Sequence, residues 1–322
     1  MRLEVRPFEP AHIADAGRLL AARHRAGRAL EPALDPTYED PAAAEREIEA
    51  LLAREGTAGV AATRNGTLVG YLLGTPGDQA LWGANMWVEA AGHAVAEADT
   101  VRDLYAAIAG SWVADGRMRH YAIVPAADRP LVDAWFSVEF GQQHLLAIRE
   151  VPAPSFAPAP RAGVSVRRAE ERDIEALADL ELVLPAHLRG SPVFSTIAIS
   201  TRDEARAELQ RDIHDPRFAF FVAEHRERVV GTSLACSVDV SSMYRGLLRP
   251  LDAALLAYAA VFPEARGLGA GGVLGETVLA WARDAGYHWV AVDWRSGNLE
   301  AGRAWTRLGF RPTFRRLHRA IA

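Results

Sequence analysis

The order of hydrophobic and polar positions divides the chain into short alternating runs and longer helical ones. FAFFVAEH (218–225) and RVVGTSLACSV (228–238) read as the two strands of a hairpin, whereas PAAAEREIEALLARE (41–55) spaces its apolar residues along one helical face. Asp40 before Pro41 marks the start of that helix, because aspartate caps free amides and proline suits the first helical position. Thr201 and Glu204 stand in capping-box spacing and predict a second helix opening there. The second half then reads as strand 164–169, helix from near Asp173, helix from Thr201, the hairpin, strand 251–261, helix 270–285, strand 288–294, and a final helix and strand.

The first half follows the same order. LEVRPFEPAHIADAGRL and VSVRRAEERDIEALADL align without gaps at an offset of 161, placing Val5 over Val166, Ile13 over Ile174 and Leu19 over Leu180. At that offset Gly70 meets Gly231, and AWFSVEF (134–140) resembles AWTRLGF (304–310) at an offset of 170. One duplicated unit accounts for all three matches. Between the copies, VPAPSFAPAPRAG (151–163) carries Pro152, Pro154, Pro158 and Pro160 and predicts an extended, solvated linker. The expected domains are therefore 1–150, the linker 151–163, and 164–322, in an α/β architecture of mixed, mostly antiparallel sheets flanked by helices.

Composition changes this picture little. With 322 residues, half of them hydrophobic, the chain can bury two ordinary cores. A net charge of −5 without basic blocks argues against nucleic acid as a partner, and all 36 basic residues are arginine. The single cysteine, Cys236, excludes an internal disulfide or a cysteine metal cluster and reads as a buried inert thiol; no metal is expected. The N-terminus MRLEVRPFEP has no apolar core, and the longest apolar stretch, 253–263, is too short for a bilayer, so a cytoplasmic protein without membrane contact is expected.

Chemistry concentrates at VFPEARGLGAGG (261–272). Gly267, Gly269 and Gly272 spell G-x-G-x-x-G between a strand and a helix, with Asp293 at the end of the next strand, as in a dinucleotide-binding unit. Against that reading, FPEAR intervenes between strand and glycines, much of the unit precedes them, and only 29 residues follow Asp293. Arg266, Gly269 and Gly271 also spell R-x-x-G-x-G. The whole stretch resembles the acyl-CoA pyrophosphate loop of the GNAT superfamily of N-acetyltransferases, and NLEAGRAWTRLGF (298–310) is similar to that superfamily's N-x-x-A-x-x-x-Y-x-x-x-G-F segment. The likeness covers 164–322. In the first copy the loop position holds EAAGHAVAEADT (89–100), with Glu97 and Asp99 in place of glycines. Carboxylates at a helix start would repel a phosphate, so one working site is expected, in the second copy.

The resemblance implies an acetyl-CoA-dependent N-acetyltransferase acting on a small-molecule amine, built as a tandem pair and existing as monomer or homodimer. Backbone amides of Arg266, Gly267, Leu268, Gly269, Ala270 and Gly271 would cradle the pyrophosphate, and groups around Val261 and Phe262 would pair with pantetheine. Small Ala257, Ala259 and Ala260 would leave room there. Asn298 would face the CoA arm, or simply cap the last helix. Where the motif has a tyrosine that protonates the leaving thiolate, this chain has Trp305, matched by Trp135 in the first copy; it would shape the thiol end of the CoA pocket, or both tryptophans would simply pack. Candidate bases are Tyr258 and Asp293, with Asp252 and His214 more remote; a core tyrosine, a structural ion pair and a solvated loop histidine are the competing readings. An acyl-CoA-binding protein without catalysis is the alternative that Trp305 favours.

Overall fold

The structure is a computed structural model that describes residues 3–78, 82–159, 161 and 163–322; Pro160 of the expected linker lies outside them. Two compact units partition the chain. Unit 1 comprises Met1–Leu145, Arg245–Arg249 and Pro312–Ala322, and unit 2 comprises Leu146–Tyr244 and Pro250–Arg311.

Unit 1 holds β1 (Glu4–Pro7), α1 (Ile13–Leu30), α2 (Pro41–Leu52), β2 (Ala58–Arg64), β3 (Thr67–Gly77), β4 (Asn85–Val88), β5 (His93–Val95), α3 (Thr100–Ala114), β6 (Arg119–Pro125) and α4 (Arg129–Phe136). β7 (Gly141–Glu150) crosses the boundary between the units. Asp40 caps α2 by accepting from the amide of Ala42, as the sequence predicts. β1, β2, β3 and β4 pair antiparallel in that order, β4 then pairs parallel with β6, and β5 pairs with β3. α3 and α4 press Leu104, Tyr105, Trp112, Leu131 and Trp135 onto this sheet. Each such buried side chain contributes about 1.5–3 kcal/mol.

Unit 2 holds β8 (Val164–Arg168), α5 (Ile174–Glu181), α6 (Val183–Arg189), α7 (Arg202–Asp212), β9 (Phe218–His225), β10 (Arg228–Ser237), β11 (Ala253–Val261), α8 (Ala270–Asp284), β12 (Trp289–Arg295) and α9 (Leu299–Arg307). β8 to β11 pair antiparallel in sequence order, and β11 pairs parallel with β12. Thr201 and Glu204 close the expected capping box of α7. Ile174, Leu177 and Leu209 from α5 and α7 pack on Phe220 and Val222 of β9.

The chain's last strand, β13 (Arg311–Ala320), lies with unit 1 beyond Arg311 and pairs antiparallel with β6, from Phe314 opposite Pro125 to Ala320 opposite Arg119. A unit is thus not one contiguous stretch, as the boundaries 1–150 and 164–322 take it to be. Segment 151–159 departs from the expected solvated chain: Arg283 of α8 donates to the carbonyls of Phe156 and Ala153, at 2.8 and 3.2 Å. Prolines remove donors but leave carbonyls free to accept, and a long cation on a helix can collect them. No helix among the described residues is long and apolar enough to cross a membrane.

Candidate functional site

In unit 2 the parallel strands β11 and β12 are in register from Ala253 opposite Trp289 to Leu256 opposite Val292, and there the pairing stops. Both strands continue, to Val261 and Arg295, so they part, and the β12-facing edge of 257–261 has no strand partner among the described residues. The parting starts at a bulge: Leu256 faces Ala235 and Tyr258 faces Leu234 on β10, so Ala257 is the extra residue. A bulge re-aims backbone groups and bends the strand, and a strand edge left unpaired in this way is one to which an extended ligand can add.

That edge leads to the glycine loop. Phe262, just after β11, has its amide on Val230 and its carbonyl on the amide of Ala265, which leaves backbone pairing with a ligand to the 257–261 edge. After a single 3-10 turn, Gly267 and Gly269 adopt φ of 87° and 83°, the left-handed region that side chains disfavour. Gly269 is the N-cap of α8. The amides of Gly267, Gly269, Ala270 and Gly271 have no acceptor among the described residues, and they lie at the positive end of the helix dipole, which suits them to an anion such as pyrophosphate. Arg266 is paired with Glu300 at 3.3 Å, and Leu268 stays exposed. At Gly272 a side-chain carbon would meet nothing within 4 Å and φ is not positive. The third glycine of the dinucleotide spelling therefore has no packing or backbone task here.

The opposite wall is built from α5, α6 and the loop after them. Tyr258 donates its hydroxyl to the carbonyl of Leu180 at 2.6 Å, and burial together with the charge of Glu181 raises its pKa. A phenol so held is a poor base. Asp293 lies two positions before Arg295, on the same face of β12, and Arg295 donates to the hydroxyl of Ser195 at 3.3 Å. Tyr244 is buried next to Asp293, and its hydroxyl has no partner among the described residues. Asn298 caps α9 by accepting from the amide of Ala301, with Nε2 of His187 on α6 at 3.4 Å from the same oxygen. The segment 180–195 thus reaches β11 at one end and β12 with the α9 cap at the other. Asp252 precedes β11 at the end away from 257–261, its carbonyl accepting from the amides of His288 and Trp289, and His214 is exposed and paired with Glu171.

Glu181, which the sequence reading does not single out, stands here. It ends α5 beside Tyr258, and burial with the nearby charge of Glu208 pushes its pKa up to about 7. No hydrogen bond or ion pair holds its carboxylate among the described residues. A glutamate closing an amphipathic helix gives no local signal of this; the position of Tyr258 opposite it is tertiary.

Trp305 is buried at 8% exposure, with Phe310 edge-on at 6.1 Å and its ring 3.5 Å from where a side-chain carbon would sit at Gly275 of α8. It fills the joint between α8 and α9. Trp305→Tyr is therefore expected to lower the melting temperature, since a phenol fills less volume, and to give no gain in thiol release. Calorimetry beside a thiol-release assay checks this; a faster variant would place the indole at the sulfur.

Unit 1 treats the equivalent opening differently. β4 pairs with β6 from Asn85 to Val88, and the chain then turns through a 3-10 helix into β5, which leaves β6 for β3. The gap between β5 and β6 is filled by His93, fully buried, which donates from Nε2 to the carbonyl of Ile123 at 2.9 Å and meets the Trp135 ring edge-on at 5.7 Å. Burial and Arg23 push its pKa down to about 3, so the plug stays neutral. Arg23 also donates to the carbonyls of His93 and Ala90. Glu97 pairs with Arg64 and Asp99 with Arg102 before α3.

Residues 190–310 match the model of the Acetyltransferase (GNAT) family. Human N-acetyltransferase 8B is similar, 38% identical over 94 residues that make up 29% of this chain and 39% of that protein, so the chain spans well under half of that relative. Two solved structures share the fold over nearly the whole length. A GCN5-related N-acetyltransferase from Sphaerobacter thermophilus has a TM-score of 0.58 at 16% identity, covering 99% of this chain and 95% of that one. A tandem GNAT protein from the clavulanic acid biosynthesis pathway has a TM-score of 0.50 at 16% identity, covering 99% and 98%. The likeness to both structures is one of fold and extends over the two units of this chain.

Proposed function

We propose that the protein is an acetyl-CoA-dependent N-acetyltransferase that acetylates a primary amine of a small cationic acceptor, using one CoA site in unit 2. The observation that carries this reading is the set of four partnerless amides at the α8 N-terminus, at the mouth of the slot between β11 and β12. The loop amides bind the pyrophosphate, and the β11 edge from Ala257 to Val261 pairs with pantetheine and turns an amide toward the thioester oxygen. The His93 plug and the acids before α3 leave unit 1 without an equivalent site.

Glu181 gives the wall opposite β11 a negative charge suited to an ammonium group. Ionised Glu181 takes one proton from the acceptor ammonium. The freed nitrogen lone pair attacks the thioester carbonyl carbon, a C–N bond forms, and the C–S bond breaks with its electron pair passing to sulfur. The second nitrogen proton goes to the thiolate, directly or through water, giving amide and free thiol. Trp305 cannot supply that proton, but a thiolate with a thiol pKa of about 8.5 is a fair leaving group.

Calorimetric titration with acetyl-CoA and a thiol-release assay over a panel of primary amines test the reading together. One equivalent of CoA per chain with amine-dependent thiol release is expected. Two equivalents would refute the single site, binding without turnover would favour an acyl-CoA-binding protein, and a thermal shift with NAD alone would favour the dinucleotide spelling.

A further inference from the structure

Residues 151–159, together with Arg161, contact α8 at successive points from its C-terminal end to its N-terminal end. Near the C-terminal end Arg283 holds the carbonyls of Phe156 and Ala153. Two turns earlier on the helix, Glu276 accepts the amide of Ala159 at 2.6 Å and pairs with Arg161 at 3.5 Å. Glu276 is largely buried, at 14% side-chain exposure, so its carboxylate is a fixed anchor and not a solvated surface charge. At the N-terminal end the Arg161 side chain passes over Gly269. A carbon built on Gly269 would lie 3.1 Å from Cδ of Arg161 and 3.4 Å from its Nε.

A cation is therefore stationed over the same turn whose amides have no acceptor. Its pairing with Glu276 is one long contact. A guanidinium has five donors in a rigid fork, and among the described residues only Glu276 offers Arg161 a carboxylate. Arg266, the arginine of the loop itself, is engaged with Glu300. A pyrophosphate bears about two negative charges, more than helix amides alone neutralise.

We infer that Arg161 is a phosphate-binding residue of the CoA site: the strapped segment delivers its guanidinium over Gly269, where it pairs with the pyrophosphate of acyl-CoA. The inference rests on the CoA site proposed above. It also makes the segment part of the site, so that ligand binding fixes the strap along α8 and shields it from protease.

Calorimetric titration of the full chain with CoA and with dephospho-CoA, which lacks the 3′-phosphate, tests it. Arg161→Ala is expected to weaken both ligands about tenfold to a hundredfold, the range for a charge-assisted contact, and Arg161→Lys to recover part of the loss. Glu276→Gln keeps an acceptor for Ala159 but removes the competing charge, and is expected to tighten both ligands. A merely structural role for the strap would make that variant bind more weakly. Wild-type affinity in Arg161→Ala, or a loss for CoA but not for dephospho-CoA, would overturn the pyrophosphate assignment. Absence of CoA binding by the wild-type protein would instead overturn the functional reading on which it rests. Melting curves of each variant separate lost binding from lost folding.

Discussion

Gly269→Val is expected to abolish CoA binding, by more than a hundredfold, while the chain stays folded. Gly269 combines a φ of 83° with the N-cap position of α8, and a side chain there would meet the Arg161 stem at 3.1 Å. A β-branched residue in the left-handed region costs about 1–3 kcal/mol, so the loop would relax to another conformation and its amides would no longer converge. Gly272→Ala is the internal control. Nothing lies within 4 Å of the added carbon, and alanine favours a helix interior over glycine by about 1 kcal/mol, so binding should persist and the melting point should rise slightly. Titration of both variants checks the pair. The dinucleotide spelling requires the opposite at position 272, since its third glycine serves close helix packing.

How far this was readable from the sequence depends on how local each signal is. The Thr201–Glu204 box, the Asp40 cap and the Asn298 cap are set by side chains within three residues of the amides they serve, and all three form. The matched glycines of the repeat were visible as letters. Their reason was not: added carbons would fall 2.9 Å from Val95 at Gly70 and 2.9 Å from the carbonyl of Ala260 at Gly231. The sequence places a strand at the end of the chain, but the sheet it joins is decided by which edge offers hydrogen bonds, and the buried Thr313, Phe314, Arg316 and Leu317 are silent on that as letters. The glycine loop was legible because positive φ and close approach select glycine directly. His93 and Glu181 were not, because each gains its role from a partner far along the chain, Ile123 for one and Tyr258 for the other.

Glu181→Gln is expected to slow acetyl transfer by about 100-fold or more, the usual worth of a positioned base, and to stabilise the protein at the same time. For the wild type, a carboxyl with a pKa of about 7 must be ionised to take the ammonium proton, so the transfer rate should rise with pH through about 7 and level off above it. The glutamine variant should lose that inflection while binding acetyl-CoA normally, because the residue lies on the acceptor wall and not at the loop. The stability effect has the opposite sign to that of an ion-paired acid. Folding raises this pKa above the unfolded value of about 4.3, so the folded form holds the extra proton, and stability falls as pH rises from the unfolded value through 7. At pH 8 the buried charge stands unpaired beside Glu208, and replacing it should recover on the order of 1–3 kcal/mol, an advantage that vanishes at pH 4. Glu208→Gln should leave the mechanism intact but move the inflection below 7, because it removes the neighbouring negative charge. Rate profiles from pH 5 to 9 and melting temperatures from pH 4 to 9 on the three proteins bring these expectations together. Retained rate with an unmoved inflection in Glu181→Gln would show that the acceptor loses its proton elsewhere, to Asp293 or along a chain of water.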